Sequence, residues 1–349
     1  MIGWAIIGLG GMGTCHVERF VSKLPDLIKI CGEYDIDPET RKTADRLGIR
    51  AYDSLEELLS DEEVSLVTLA VPNDLHKDLA IQCMKRGKHV ISEKPVTLSL
   101  DDLYQMINAS RETGKIFTVH QNRRWDEDYQ TVKRIYDENM LGKVFNIESR
   151  VHGSRGIPGD WRNQYVKGGG MILDWGIHLL DQILMLVDED IVSSYCKIST
   201  VTNEEVDDGF TAMLTFGSGL RALVEVGTSN FINLPRWYVQ GQNGTAVVND
   251  FSVSGEIVKV SDWEKRDAVP VVTAAGLTKT MAPRTEDTIR RYPLPEVKPD
   301  ILDFYRNVVA AIEGRETQLI THKQQIRLMK LVEALFRSAK DDVVIDERI

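Results

Sequence analysis

Ile6-Ile7-Gly8-Leu9-Gly10-Gly11-Met12-Gly13 lies near the start of the 349-residue chain. Short apolar residues lead into a glycine-rich turn, and residues 12–24 read as a helix. Strand, glycine turn and helix in that order form the phosphate-holding corner of a doubly wound α/β fold. Gly8 permits the tight turn, Gly10 lets the backbone approach a pyrophosphate, and Gly13 lets the helix pack on the strand. Gly11 and Met12 open the helix, where free N–H groups and a partial positive charge favour an anion. The plainer alternative is a glycine turn between two ordinary elements.

The elements that follow keep to this grammar. A second strand, residues 29–34, ends at Asp35. A carboxylate there accepts both ribose hydroxyls of an adenosine and repels a 2′-phosphate. Ile36 follows rather than a basic residue, so NAD is expected in preference to NADP. Asp37-Pro38 reads separately as a helix cap and first-turn proline. An apolar strand over residues 65–70 ends in Val71-Pro72-Asn73, at the edge of the crevice where nucleotides bind. Pro72, Asn73 and His76 are therefore candidate cofactor contacts; equally, Asn73 fits as a turn residue and His76 as a helix-surface histidine. Residues 89–92 form a strand running into Glu93-Lys94-Pro95, and residues 116–119 form another. With a short strand at residues 51–52, the alternation predicts a six-stranded, mostly parallel sheet in a nucleotide domain spanning residues 1–121. Gln121, at its border, is a candidate for the nicotinamide carboxamide.

After residue 121 the pattern changes. Long β-rich runs cover residues 144–153, 192–200, 210–216, 220–229, 236–240 and 246–249, with a hairpin turn at Gly217-Ser218-Gly219. They predict an α+β domain, residues 122–349, built on a large open, mostly antiparallel sheet. Residues 262–299 hold five of the eleven prolines and read as an irregular excursion. Helices close the chain at residues 301–313 and 321–339.

Composition excludes several classes. Forty-two Lys/Arg against 53 Asp/Glu give a net charge of −11, and no basic run suggests a nucleic-acid surface. The four cysteines are scattered, which fits free thiols in a reducing compartment, and no His/Cys/carboxylate set has metal-ligand spacing. Met1-Ile2-Gly3-Trp4 lacks the basic and apolar regions of a signal peptide, and no run reaches the length of a membrane span, so a cytoplasmic protein is expected.

Two stretches carry chemistry. Lys94, in Glu93-Lys94-Pro95, sits at the carboxyl end of a strand, where it would face the nicotinamide end of a dinucleotide; taken alone it is also an ordinary lysine beside a turn proline. The second stretch is Gly168-Gly169-Gly170-Met171-Ile172-Leu173-Asp174-Trp175-Gly176-Ile177-His178-Leu179-Leu180-Asp181. After the glycines it reads as a buried helix, with Asp174, His178 and Asp181 on one polar stripe. A buried carboxylate and imidazole are costly without partners.

Together, the glycine motif, Glu93-Lys94-Pro95 and Gly169–His178 resemble the Gfo/Idh/MocA oxidoreductases, in the right order and over nearly the whole chain. The resemblance implies a Rossmann domain followed by an α/β domain with an open sheet. It also implies that Lys94, Asp174 and His178 match the family's catalytic lysine, aspartate and histidine. The chemistry suits them. Oxidising a secondary alcohol sends a hydride to nicotinamide and a proton to a base, here His178, a neutral imidazole. Lys94 would bind the reacting oxygen and Asp174 a neighbouring hydroxyl; lysine and aspartate could also relay the proton. The expected substrate is a ring secondary hydroxyl of a sugar, glycoside or cyclitol, with C3 of a glucoside a special case. Glycoside hydrolysis through an internal NAD redox cycle, and a non-catalytic NAD- or sugar-sensing regulator, are the rival readings.

Further substrate contacts are expected from Arg124, in the interdomain stretch Gln121–Trp125, and from His152, Arg155, Trp161 and Arg162, in or beside a Gly/Pro-rich loop. Tryptophan stacks on sugar faces and arginine forks onto vicinal hydroxyls; loop anchoring is the plainer role for Trp161 and Arg162. Residues 210–216 and 222–226 also suggest an uncovered apolar sheet face, hence a homodimer or homotetramer packed sheet to sheet.

Overall fold

All 349 residues are described in a computed structural model. Strand β1 (Ile2–Ile7) is buried on both faces, as a central parallel strand must be. Helix α1 (Gly11–Cys15) follows the glycine turn and widens into a π-helical turn, His16–Phe20, then tightens at Val21–Lys23. The expected continuous helix is thus irregular, and the wide turn carries His16 into the core.

The remaining elements of the first sheet are β2 (Ile28–Tyr34), α2 (Thr40–Leu47), α3 (Leu55–Ser60), β3 (Leu66–Leu69), α4 (His76–Lys85), β4 (His89–Ser92), α5 (Leu100–Thr113) and β5 (Phe117–Val119). Five strands pair in parallel in the order β2-β1-β3-β4-β5. The expected sixth strand is absent as a strand. Ala51 makes a single bridge to Glu33, and Asp53 and Ser54 pass at once into the cap of α3, whose Ser54 hydroxyl accepts the Glu57 N–H. The switch point between β1 and β3 places the carboxyl ends of these strands around one crevice.

The second unit comprises α6 (Glu127–Asp137), β6 (Val144–His152), a π-helical turn Ile172–Gly176 running into α7 (Ile177–Leu186), β7 (Ile191–Ser199), β8 (Gly209–Phe216), β9 (Arg221–Gly227), β10 (Trp237–Gly241), β11 (Gly244–Val248), β12 (Gly255–Val260), the hairpin β13 (Val271–Thr273) and β14 (Gly276–Thr278), β15 (Ile289–Tyr292), α8 (Leu302–Ile312) and α9 (His322–Asp341). Its sheet has eight strands, β15-β12-β11-β10-β6-β9-β8-β7, antiparallel except for the β6–β9 pair. The proline-rich stretch read as irregular supplies the edge strand β15, whose Arg290 and Arg291 suit an edge that must not pair further.

The apolar residues of β8 and β9 face inward. Phe210, Ala212, Leu214, Phe216, Ala222, Val224 and Val226 are buried in the core. The outer face carries Thr211, Met213, Arg221, Leu223 and Glu225, with Arg150 paired to Glu148 and Glu225. The expectation of an uncovered apolar face therefore fails: strict alternation sends the apolar set to the core and leaves a mixed polar surface.

Helices α8 and α9, and the turn between them, return to the first sheet. The Thr118 hydroxyl and Gln318 Nε2 both donate to the Ile320 carbonyl, His322 Nε2 lies 2.9 Å from the Phe117 carbonyl, and Leu100 N–H donates to Glu333. One hydrophobic core runs through both units.

Candidate active site

The glycine turn is shaped by close approach. Gly8 adopts φ +94°, and a Cβ there would lie 2.4 Å from the Ala70 carbonyl. A Cβ on Gly13 would lie 2.0 Å from the Gly8 carbonyl, so Gly13 serves packing rather than contact with a ligand. Gly10 and Gly11 instead face open space, with nothing within 4 Å of an added Cβ. They line a cleft of about 680 Å³ with Gly8, Met12, Asp35, Pro72, Asn73, Glu93 and Lys94. Asp35 Oδ2 accepts the Leu9 N–H at 2.7 Å, so the carboxylate also braces the turn beside which it stands. Open glycines at a helix start, a carboxylate at the end of β2 and a cleft of this size fit a dinucleotide.

His76 does not join them. It is buried, and its ring nitrogens lie 2.9 Å from the Pro95 carbonyl and 3.1 Å from the Val71 carbonyl, bracing two turns. Gln121 is likewise buried, with Nε2 donating to Gln325. Asn73 borders the cleft and donates to the Gly168 carbonyl at 2.9 Å, tying the nucleotide domain to the glycine run of the second unit.

Lys94 and Asp174 meet across the domain border. Lys94 Nζ donates to both the carbonyl oxygen and Oδ1 of Asp174, each at 3.0 Å, while Arg162 Nε reaches Oδ2 at 3.3 Å. Burial pushes the Asp174 carboxyl up, but the Lys94 and Arg162 charges outweigh it and hold it below the usual value. His178 is buried, and its Nδ1 has no partner in the chain. Burial, reinforced by Lys94 and Arg123, keeps its imidazole well below the ordinary value and hence neutral. The single stripe expected of Asp174, His178 and Asp181 divides at the π turn. Asp174 turns to Lys94, whereas Asp181 is sealed beneath in a two-pronged pair with Arg124, at 2.7 Å for each oxygen.

Arg124 is thereby corrected from a substrate contact to a buried structural partner. Its neighbour Arg123 stacks on the Trp175 ring at 4.1 Å. Trp161 and Arg162 line the nucleotide cleft rather than a separate sugar site, with the guanidinium over the indole at 4.5 Å. His152 borders a second cavity, of about 570 Å³, that also holds Asp174, Trp175 and Arg155. Both His152 nitrogens are engaged within the chain: one lies 2.9 Å from Glu225, and the other accepts the Leu234 N–H at 3.3 Å. The two cavities meet at the Lys94–Asp174 pair.

Behind Lys94 lies a buried network that the sequence reading did not isolate. His16 Nε2 and His120 Nδ1 each lie 2.8 Å from Glu93 Oε1, and the Tyr305 hydroxyl lies 2.6 Å from His16 Nδ1. The His16, Glu93 and His120 donor atoms fall within 4.8 Å of one another, a spacing open to a metal ion. Here both imidazoles hydrogen-bond the same carboxylate oxygen directly, and that carboxylate also accepts the Lys94 N–H at 3.2 Å. Glu93, expected as a cofactor contact, thus borders the cleft with its carboxylate committed to His16, His120 and the Lys94 turn. The available signal was His16, one turn beyond Gly13 on the same helix face.

A dinucleotide cleft that ends at a lysine–aspartate pair beside a neutral histidine defines an oxidoreductase scaffold. Residues 2–121 match the sequence profile "Oxidoreductase family, NAD-binding Rossmann fold", and residues 129–247 match the "GFO/IDH/MocA C-terminal domain". The chain belongs to the Gfo/Idh/MocA oxidoreductase family. It is similar to the solved NAD-binding protein of Listeria innocua, at 42% identity over 99% of each chain, with a TM-score of 0.94. It also resembles two Bacillus subtilis proteins. One is a scyllo-inositol 2-dehydrogenase (NADP(+)), 25% identical over 82% of this chain and 80% of that one. The other is a scyllo-inositol 2-dehydrogenase (NAD(+)), 28% identical over 54% and 55%. No helix is long and apolar enough to cross a membrane.

Proposed function

We propose that the protein is a dehydrogenase that oxidises a ring secondary hydroxyl of a sugar, glycoside or cyclitol, with NAD preferred over NADP. The observation that carries this reading is the Lys94–Asp174 pair, standing where the nucleotide cleft opens into the second cavity. The inositol dehydrogenases among its relatives support the substrate class. Support for NAD comes from Asp35, whose carboxylate borders the adenosine end of the cleft and disfavours a 2′-phosphate.

Gly8, Gly10, Gly11 and Met12 would hold the pyrophosphate, and Asp35 the ribose. When bound, the nicotinamide supplies the hydride acceptor. Lys94 holds the reacting hydroxyl oxygen and stabilises the negative charge that grows there. The hydroxyl proton passes to His178 at Nε2, since Nδ1 is sealed within the protein. Asp174, fixed by Lys94 and Arg162, accepts a hydrogen bond from the neighbouring hydroxyl and so orients the ring. For a glucoside, C3 is the carbon we propose as the special case.

We also propose that copies associate as a dimer or tetramer through the outer face of the large sheet, where Met213 and Leu223 lie among charged pairs. Light scattering at micromolar concentration tests this, and a monomer would refute it. The four free thiols support a cytoplasmic setting.

The decisive assay follows absorbance of the reduced nicotinamide while inositols, free sugars and glucosides are presented with NAD or NADP. Steady reduction of NAD by one of these classes is expected. Consumption of a glycoside with no net reduction would replace the proposal with an internal redox cycle.

A further inference from the structure

The second cavity is larger than the reaction needs. A single ring held by Lys94 and Asp174 would fill only the inner end, where Asp174 and Trp175 line the cavity. Trp175 is fixed there by Arg123 on its face and by Phe251, whose ring centre is 6.1 Å away. The cavity continues outward to about 570 Å³, within the ~300–1,000 Å³ range of sites for sizeable ligands.

Its mouth has a distinct chemistry. Phe231 lines it while remaining 85% exposed, an unusual state for a large aromatic side chain. Asn230 and Asn233 flank it, and neither side-chain amide is hydrogen-bonded within the chain. The loop is not loosely placed: Asn230 N–H donates to the Gly153 carbonyl, and Leu234 N–H donates to His152, which is itself held by Glu225. An aromatic face between two unengaged amides matches a ring with an apolar face and a polar edge.

We propose that this outer region is a subsite for a second ring, joined through a glycosidic bond to the ring that is oxidised. The natural substrate is then a glycoside or disaccharide rather than a free cyclitol or monosaccharide. The proposal rests on the dehydrogenase reading above. Phe231 stacks on the apolar face of the second ring, and Asn230 and Asn233 take its polar edge. The ring is either a second sugar or an aryl aglycone.

The test compares kcat/KM for scyllo-inositol, methyl glucoside, phenyl glucoside and a glucosyl-glucose disaccharide, at saturating NAD, in the wild type and in Phe231→Ala. Expected is an advantage of about tenfold in kcat/KM for a two-ring compound over methyl glucoside, arising in KM. In Phe231→Ala the ratio between the two should fall close to one. Preference for the disaccharide identifies the second ring as a sugar; preference for phenyl glucoside identifies it as an aglycone. If inositol or methyl glucoside is oxidised as efficiently as both two-ring compounds, the subsite is refuted while the dehydrogenase stands. The subsite is also refuted if Phe231→Ala lowers all activities alike or alters only self-association. If no compound reduces NAD, the functional reading falls, and this inference with it.

Discussion

Lys94 Nζ lies 3.0 Å from both the backbone carbonyl and the Oδ1 of Asp174, so one ammonium grips the start of the helix that carries His178. Lys94 comes from the carboxyl end of β4 and Asp174 from the π turn before α7. Their side chains are only 16% and 13% exposed. The pair therefore sets the relation between the nucleotide domain and the cavity of the second unit, besides placing charge at the reacting oxygen.

Replacing Lys94 removes that grip and leaves the Asp174 carboxylate with Arg162 alone. Lys94→Ala is expected to lower kcat by about 10²–10³-fold, the usual effect of deleting a donor to a developing oxyanion. NAD affinity, followed by quenching of tryptophan fluorescence, should change little, because Gly10, Gly11 and Asp35 remain. Near-normal kcat in this variant would remove lysine from the mechanism.

The neutral state of His178 has a pH signature. Burial, with the Lys94 and Arg123 charges, holds the imidazole well below its ordinary value. The base is thus already deprotonated at neutral pH, and kcat/KM should stay flat on acidification until below about pH 6.5, the ordinary histidine value. Lys94→Ala removes a like charge and should move the acid limb upward. His178→Asn should abolish the limb along with most of the activity. An acid limb at or above pH 7 in the wild type would show that another group takes the proton.

The fold was legible because its periodicities are clear. Trp4–Ile7 and Leu66–Leu69 are continuous apolar strands, and β8 alternates. The glycine motif was legible from its strand–turn–helix setting, whereas Lys94 and Asp174 stood out through the family resemblance, since each alone has an ordinary structural reading. The buried polar partners were harder. His16 and His120 are far apart in sequence and meet at Glu93, and Tyr305 joins them only because α8 packs back on the first sheet. Arg124 and Arg123 are adjacent, and sequence alone does not tell which will be sealed against Asp181 and which will stack on Trp175. Phe231 gave no periodic signal because it projects from a loop.

The Glu93 network should set the acid stability of the protein. The two imidazoles hold the Glu93 carboxyl well below its usual range despite burial, and burial with the His120 charge holds His16 below its own. Both shifts have the same consequence. The native state binds fewer protons than the unfolded chain as pH falls, so stability is lost below about pH 6.5 through His16 and below about pH 4.3 through Glu93. Glu93→Gln leaves two imidazoles competing for a weaker, neutral acceptor and should cost about 1–3 kcal/mol at pH 7 in urea unfolding. The deficit should narrow only below about pH 4.3, as the wild type begins to lose the Glu93 contribution. Tyr305→Phe, which removes the hydroxyl's contacts with His16 Nδ1 and, at 3.4 Å, His120 Nε2, should cost about 1–3 kcal/mol. A Glu93→Gln variant as stable as the wild type at pH 7 would mean that the network contributes nothing net.

Asp207 should act in the opposite sense. Burial raises its carboxyl to about 7, although it accepts the Ile172 N–H at 2.8 Å at the start of the π turn that carries Asp174. Close packing against Gly170 leaves little room for water, since a Cβ on that glycine would lie 2.2 Å from Asp207 Oδ1. A folded value above the unfolded value of about 3.9 means that the native state keeps a proton the unfolded chain releases. Stability contributed by this group is therefore full below about pH 4 and lost as pH rises through 7. Asparagine keeps an acceptor for the Ile172 N–H without the charge. Asp207→Asn should melt close to the wild type at pH 5 and above it at pH 8.5, by about 2–4 °C for each kcal/mol recovered. Thermal scans at the two pH values provide the check. A variant that is less stable at pH 8.5 would show that the ionised carboxylate, not the protonated acid, is the form that caps the catalytic turn.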